Sequence, residues 1–377
     1  MHILIAPNAF KNSLQATDAA KAIESGLIQS KLQCTTECFP IGDGGDGTAE
    51  LIIKRCGGTF ETAKVHDPAG RSIHAAFGLI DNGNTAVIEM ANASGLRLLK
   101  DIVPDPLHAT SAGTGELVKK ALDKGVNKII LCMGGSATVD GGTGILSALG
   151  VRFLNAEGKV LSNLPETLSD LAAIDLSDID ENVHKCSFTI LCDTDILLSG
   201  ENGAAAVFGP QKGAAAEDVK MLEKCLEKFS AITFQHFRKD ISQLKYGGTA
   251  GGAAAGLSAF LNAELVNGID YFLQLTDFEK ALRKSDIVIT AEGSIDEQTL
   301  KGKGPFGVAL RAKKNGKKVI GLAGKVPLQL SDLQQYFDVM LAIGNEPADM
   351  QTAMKDTAAN LIRTAMQAGN FLALNHL

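Results

Sequence analysis

Two carboxylates, Asp43 and Asp46, stand in Ile41-Gly-Asp-Gly-Gly-Asp-Gly-Thr48, a segment otherwise made almost wholly of glycine. The same design returns in Met133-Gly-Gly-Ser-Ala-Thr-Val-Asp-Gly-Gly-Thr-Gly144, which carries Ser136 and Asp140, and in Thr290-Ala-Glu-Gly-Ser-Ile-Asp296, which carries Glu292 and Asp296 ahead of Lys301 and Lys303. Glycine exposes backbone N–H groups and permits positive φ, so a strand-to-helix turn built from it can wrap an anion at a helix N-terminus. Phosphate is the natural guest, and Gly134, Gly135, Gly141, Gly142 and Gly293 are the candidate backbone contacts. A carboxylate in such a loop repels bare phosphate. Asp140 therefore calls for a divalent cation or a hydroxyl substrate between them, or else it caps the helix expected over 141–149. Asp46 and Thr48 have the same alternative of capping the next helix. Lysines supply the opposite charge: Lys11 just past the first strand, and Lys212 in Phe208-Gly-Pro-Gln-Lys-Gly213. Phe188-Thr-Ile-Leu-Cys-Asp193 ends an apolar strand on a carboxylate, the candidate base, whose pKa burial would raise and a nearby metal or lysine would lower.

Several chemistries are missing. There is no G-x-x-x-x-G-K-[ST] phosphate loop, no G-x-S-x-G nucleophile elbow, and no H-E-x-x-H among the seven histidines. Acidic glycine loops, a few lysines and no activated nucleophile suit direct phosphoryl transfer between two bound substrates, where catalysis is positioning and charge neutralisation. A net charge of −7 without a basic block argues against nucleic acid and anionic membranes as partners. Hydrophobic residues make up 45% of the 377 and mean hydropathy is only +0.09, with no apolar run near the roughly 18 residues of a membrane span. The seven scattered cysteines lack the C-x2-C spacing of zinc sites and read as reduced thiols. Met1-His-Ile-Leu-Ile-Ala-Pro7 reads as a first strand rather than a leader, so a cytoplasmic protein with a small-molecule partner is expected.

The elements that must hold these loops follow an alternating pattern. Strands are predicted over 2–6, 36–41 and 60–65, with helices over 16–28 and 48–55 between them, a run of βα units that favours a parallel sheet. Asn82-Gly83 then joins two apolar segments as an antiparallel hairpin over 71–90. After about 285 the first rhythm returns: strands over 286–290, 318–322 and 339–343, helices over 307–314 and 350–367. The organisation expected is α/β, with one discontinuous parallel-sheet domain, 1–65 plus 285–377, and a second α/β domain, 66–284, inserted in it. Glycine clusters at strand ends are where open α/β sheets bind ligands. One further biased segment, Gly247-Gly-Thr-Ala-Gly-Gly-Ala-Ala-Ala-Gly256, has no assigned task.

Five motifs, in order, resemble the bacterial glycerate kinase family nearly end to end: Ala6-Pro-Asn-Ala-Phe-Lys-Asn-Ser-Leu14, Asp43-Gly-Gly-Asp-Gly-Thr48, Gly134-Gly-Ser-Ala-Thr-Val-Asp-Gly-Gly142, Phe208-Gly-Pro-Gln-Lys-Gly213 and Glu292-Gly-Ser-Ile-Asp-Glu-Gln-Thr299. The resemblance implies a Rossmann-like or flavodoxin-like domain with an inserted second domain and the active site in the cleft between them. It also implies ATP-dependent phosphorylation of D-glycerate with Mg2+, at the 2-position rather than the 3-position. Lys11, Asp43, Asp46, Ser136, Asp193, Glu292 and Asp296 fall on motif positions. On that basis Asp193 or Asp296 takes the hydroxyl proton, with Lys11 in the catalytic set. Lys11, Asp43, Asp46 and Ser136 orient glycerate, Asp193 and Glu292 hold the metal, and Lys212 joins the glycines around the nucleotide. The chain departs from the family at Thr290-Ala-Glu-Gly293, Ser136-Ala-Thr-Val-Asp140 and Cys192-Asp-Thr-Asp-Ile-Leu197, where Thr-Gly-Glu-Gly, Ser-Ala-Thr-Asn-Asp and Cys-Asp-Val-x-Asn-Pro are expected. Two rivals stand beside it. Ile190-Leu-Cys-Asp-Thr-Asp195 resembles the D-x-D of haloacid-dehalogenase-type phosphatases, and a non-catalytic small-molecule-binding protein would use the same clefts.

Overall fold

A computed structural model describes residues 1–329 and 332–374, the side chain of Lys301 excepted. The chain divides into two compact units, Met1–Asp43 with Ile269–Leu377, and Gly44–Gly268. The first holds a five-stranded sheet in the order Val339–Ala342, Lys318–Lys325, Ile287–Ser294, His2–Ile5, Thr35–Cys38, with every pair parallel. Its central strands are buried apolar runs, as a sheet covered on both faces requires: Ile3, Leu4 and Ile5 are fully buried, as are Val288, Ile289 and Ala291. From His2–Ile5 the chain moves outward to one neighbour, and from Ile287–Ser294 it moves outward to the other. The ends of these two adjacent strands thus form a topological switch point, where open α/β sheets receive ligands.

The second unit holds a six-stranded sheet in the order Glu264–Asn267, Ser187–Cys192, Lys128–Cys132, Thr85–Glu89, Ser72–Ile80, Thr59–His66. The first four strands are parallel; Ser72–Ile80 and Thr59–His66 add an antiparallel edge, and Arg152–Leu154 pairs with Ala173–Asp175 in a small separate ribbon.

The dividing points differ from those read in the sequence. The chain leaves the first unit between Asp43 and Gly44 rather than near 65, because Thr59–His66 pairs antiparallel with Ser72–Ile80 and so extends the second sheet. It returns at Ile269 rather than near 285. The intervening helices pack on the first unit: the ring of Phe278 meets Phe39 edge-on at 5.1 Å, and Gly307 leaves room for Ile269. The segment Gly247–Gly256 also acquires a task. A Cβ on Gly251, which sits at φ +68°, would lie 2.1 Å from the Thr138 carbonyl oxygen, and one on Gly256 would lie 2.1 Å from that of Gly141. Glycine is required there so that two backbones can touch.

Candidate active site

In the first unit the sheet pairing continues past the strand ends. Asn8 N–H donates to the Ala291 carbonyl at 2.8 Å, Ile41 N–H donates to that of Pro7 at 3.0 Å, and the Thr290 hydroxyl donates to that of Ala6 at 2.7 Å. These bonds bring two loops and the end of a strand to one place. The Asn8 side-chain amide donates to Asp43 Oδ2 at 2.8 Å and, at a longer 3.5 Å, to Glu292 Oε2, while its Oδ1 is fixed by the Ala9 N–H. Glu292 is only 9% exposed. Burial first and the Asp43 charge second push its pKa up to about 8, against the pull of Lys303 and the Asn8 bond. Two carboxylates with too little positive charge between them bind either a proton or a cation. Among the described residues no cluster of three or more His, Cys, Asp or Glu forms a ready metal cage. The Asp43–Glu292 pair nevertheless supplies the hard oxygen donors that Mg2+ takes beside waters and phosphate oxygens.

Other predicted residues of this unit stand differently. The strand runs to Ser294, not 290, because Glu292 pairs with Ala323 and Ser294 with Lys325, so Glu292 and Gly293 are strand residues rather than loop residues. Gly293 is open on its Cα side. Asp296 closes its own turn, its two oxygens accepting from the Ser294 hydroxyl at 2.9 Å and the Gln298 N–H at 3.0 Å, which leaves it poorly placed as a base. Lys11 is exposed on the turn between the bridged Phe10 and Leu14.

In the second unit the chemistry again collects at the C-terminal ends of parallel strands. The loop after Lys128–Cys132 is tied down by Gly134 N–H donating to the Gly44 carbonyl, Leu96 N–H to that of Gly135, and Ala137 N–H to that of Ser94. Lys212, 3% exposed, reaches this loop from its far side and donates to Ser136 Oγ at 2.9 Å and the Thr138 carbonyl at 2.7 Å. Burial pushes its pKa down to about 7 although Asp140 and Asp193 pull it up. Asp193 follows the buried strand Ser187–Cys192 and is itself half-buried.

The phosphate cradle expected at Gly134, Gly141 and Gly142 is not formed by their amides. Gly134 N–H is used as above, Gly141 N–H donates to the Gly251 carbonyl, and Gly142 N–H donates to Asp140 Oδ1. A Cβ on Gly141 would press on Phe229, and one on Gly142 would press on Ala253. These glycines serve packing. Asp140 is wholly buried and accepts from Ser111 N–H and hydroxyl, Gly142 N–H and Gly144 N–H, so it is the helix cap and not a metal ligand. Gly135 remains close to Asp46, whose Oδ1 would lie 2.2 Å from a Cβ there.

Asp46 is exposed and caps nothing. The amides at the start of the helix Thr48–Arg55 are taken by Glu89, which accepts from Gly47 N–H at 3.0 Å and Ala49 N–H at 3.2 Å. Glu89 is 3% exposed, its pKa is raised by burial, and Arg97 lies 4.0 Å away. Sequence reasoning missed Glu89 and the role of Asn8. The signal for Glu89 was present, since Thr85-Ala-Val-Ile-Glu89 ends an apolar strand on a carboxylate just as the segment before Asp193 does.

A two-unit α/β protein with acidic side chains at its parallel strand ends has the build of a small-molecule phosphotransferase, and known proteins narrow this further. A model of the glycerate kinase family matches residues 3–373. The chain is 39% identical to a glycerate kinase of Bacillus subtilis over 97% of its own length and 96% of that protein's, and 38% identical to the glycerate 2-kinase of Escherichia coli over 99% and 98%. A crystal structure from Salmonella typhimurium, named as a glycerate kinase 2, superposes with a TM-score of 0.82 at 38% identity, covering 100% of this chain and 99% of that one. The chain is a kinase. It belongs to the glycerate kinase family, and the phosphatase and non-catalytic readings fall.

Proposed function

We propose that this enzyme transfers the γ-phosphoryl group of ATP to the 2-hydroxyl of D-glycerate, with Mg2+, by direct in-line attack. The observation that carries the proposal is the half-buried Asp43–Asn8 pair beside buried Glu292 at the switch point of the parallel sheet, in a chain similar over its whole length to proteins named glycerate kinases. Asp43 and Glu292 would hold Mg2+, which supplies charge neutralisation at the phosphoryl oxygens when bound. Asn8 keeps the two carboxylates facing one centre, and Lys303 adds positive charge beside them.

In the second unit Asp193 is assigned to the hydroxyl proton, in preference to Asp296 with its engaged oxygens, and not to the metal. Ser136 is assigned to glycerate, with Asp46 on the neighbouring loop. Lys11, exposed, is assigned to attracting the anionic substrates rather than to the chemical step. Gly293 keeps its assignment to the nucleotide, since nothing closes it off in the way that neighbours close off Gly141 and Gly142, whereas Gly135, with the Asp46 carboxylate against it, is given no place at the phosphates. The similarity to an enzyme named for the 2-position supports that regiochemistry.

Coupled measurement of ADP release tests the proposal: release should require ATP, Mg2+ and D-glycerate together. The 31P signal of a 2-phosphate is split by one carbon-bound proton and that of a 3-phosphate by two, so NMR of the product decides the position. ADP release without glycerate, or none with it, would overturn the reading.

A further inference from the structure

Among the described residues Lys212 is a buried cation of the second unit without a task in the reaction as assigned. Its placement is built with care. The turn Pro210–Lys212 follows the helix Ala204–Phe208 and is closed by Gly213 at φ +100°, where a Cβ would meet the Pro104 carbonyl at 2.2 Å. The turn drives the side chain inward, with Nζ 5.6 Å from the centre of the Phe208 ring. Desolvating an ammonium is costly, and here it is costly enough to bring the pKa to about 7 despite Asp140 and Asp193, the charged groups that face it. Asp140 does not need Lys212 for satisfaction, because it already accepts from four backbone and hydroxyl donors. An apolar side chain would fill this space more cheaply.

The hydrogen-bond directions indicate what the cation achieves. An ammonium can only donate, so in its charged form Lys212 holds Ser136 Oγ as an acceptor and leaves the hydroxyl's own hydrogen to donate elsewhere. The second bond, to the Thr138 carbonyl, pins the loop two residues on. The Thr138 hydroxyl in the same segment is buried and has no partner. We propose that Lys212 is a positioning residue: by donating to Ser136 Oγ and the Thr138 carbonyl it fixes the 134–138 loop and presents the Ser136 hydroxyl as a donor to an oxyanion of the acid substrate, its carboxylate. The proposal rests on the assignment of Ser136 to glycerate. It assigns Lys212 to the acceptor acid rather than to the nucleotide.

The test is a double-mutant cycle on the full-length enzyme, Ser136→Ala, Lys212→Met and both, with KM for D-glycerate and for ATP measured separately and thermal unfolding recorded for each variant. Ser136→Ala is expected to raise KM for glycerate about tenfold, the effect of one charge-assisted hydrogen bond, and to leave KM for ATP within about twofold. Lys212→Met should do at least as much, and the double variant should be no worse than Lys212→Met, since residues acting through one another are not additive. The unfolding temperature of Lys212→Met should stay within about 3 °C of wild type; should that variant fail to fold, Lys212→Leu, which also removes the donor, takes its place in the cycle. An unchanged glycerate KM in Ser136→Ala, additive effects, or a loss confined to ATP would each overturn the role of Lys212. Failure of the wild type to phosphorylate glycerate would instead overturn the functional assignment, so the two failures are distinguishable.

Discussion

In the first unit burial holds a carboxylate, Glu292, close to its neutral form beside another carboxylate; in the second, burial brings a lysine close to its neutral form beside two carboxylates. The desolvation penalty is the same but its consequences are opposite. Around Glu292 the charge is incomplete: Asn8 bridges two acids with one amide group, and Lys303 is the cation whose pull is felt. Such a site gains most from an incoming dication. Around Lys212 two donors are matched to Ser136 and Thr138, and the amides of Gly134, Gly141 and Gly142 are spent on the Gly44 and Gly251 carbonyls and on Asp140, so the loop is held by its own bonds. Glycine-rich acidic loops of similar composition can thus serve as a metal receptor or as a packed scaffold, according to what their N–H groups already meet.

Backbone substitution puts this contrast under the greatest strain. Gly251→Ala, which forces a Cβ to 2.1 Å from Thr138 O at φ +68°, should cost about 3 kcal/mol or more in denaturant unfolding. Gly293→Ala, which meets open space, should cost under about 1 kcal/mol. Equal costs would end the distinction between a closed loop and an open one. Next in size, Asp193→Asn should lower kcat by about 10²-fold or more if that carboxylate takes the proton. Asp296→Asn should change kcat by less than about fivefold, because Asp296 is committed to its own turn.

The charge argument has a pH signature. The pKa of Glu292 is raised, so between the unfolded value near 4.3 and about 8 the native state keeps a proton that the unfolded chain has lost, and stability falls as pH rises through that window. Mg2+ competes with that proton and should raise the unfolding temperature more at pH 8.5 than at pH 6.5. Glu292→Gln should flatten both the slope and the Mg2+ response, and a variant that retained them would detach the metal from this cluster. A smaller effect is expected at Glu89, where Glu89→Ala should cost about 1–2 kcal/mol through the lost cap on Thr48–Arg55 and Glu89→Gln less, read from unfolding midpoints. Smallest of all, Lys11→Met should raise substrate KM by about two- to threefold at low salt and leave kcat unchanged, as suits an exposed charge.

Much of the fold could be read from periodicity. The helix expected over 48–55 is observed as Thr48–Arg55 and the strand over 318–322 as Lys318–Lys325, because local apolar spacing and flanking glycines decide such elements. Asn82-Gly83 does turn the chain between antiparallel strands, both residues at positive φ. The last helix, expected over 350–367, is interrupted at Asp356, with Met350–Lys355 before it and Thr357–Leu374 after it. Asp43, Asp193, Glu292 and Ser136 could be named from residue type and strand-end position. Their partners could not, since Asn8 meets Glu292 across 284 residues and Lys212 meets Ser136 across 76.

The sequence by itself determined which strands end in acidic, glycine-rich turns, and with them the α/β class and the family, because composition and spacing are local properties. Tertiary structure alone decided that Thr59–His66 joins the second sheet, that Glu89 rather than Asp46 caps the helix beginning at Thr48, and that the amides of Gly141 and Gly142 are already spent. Each of these depends on which distant donor or acceptor reaches a given backbone group first, and a buried polar group accepts whichever partner the packing delivers.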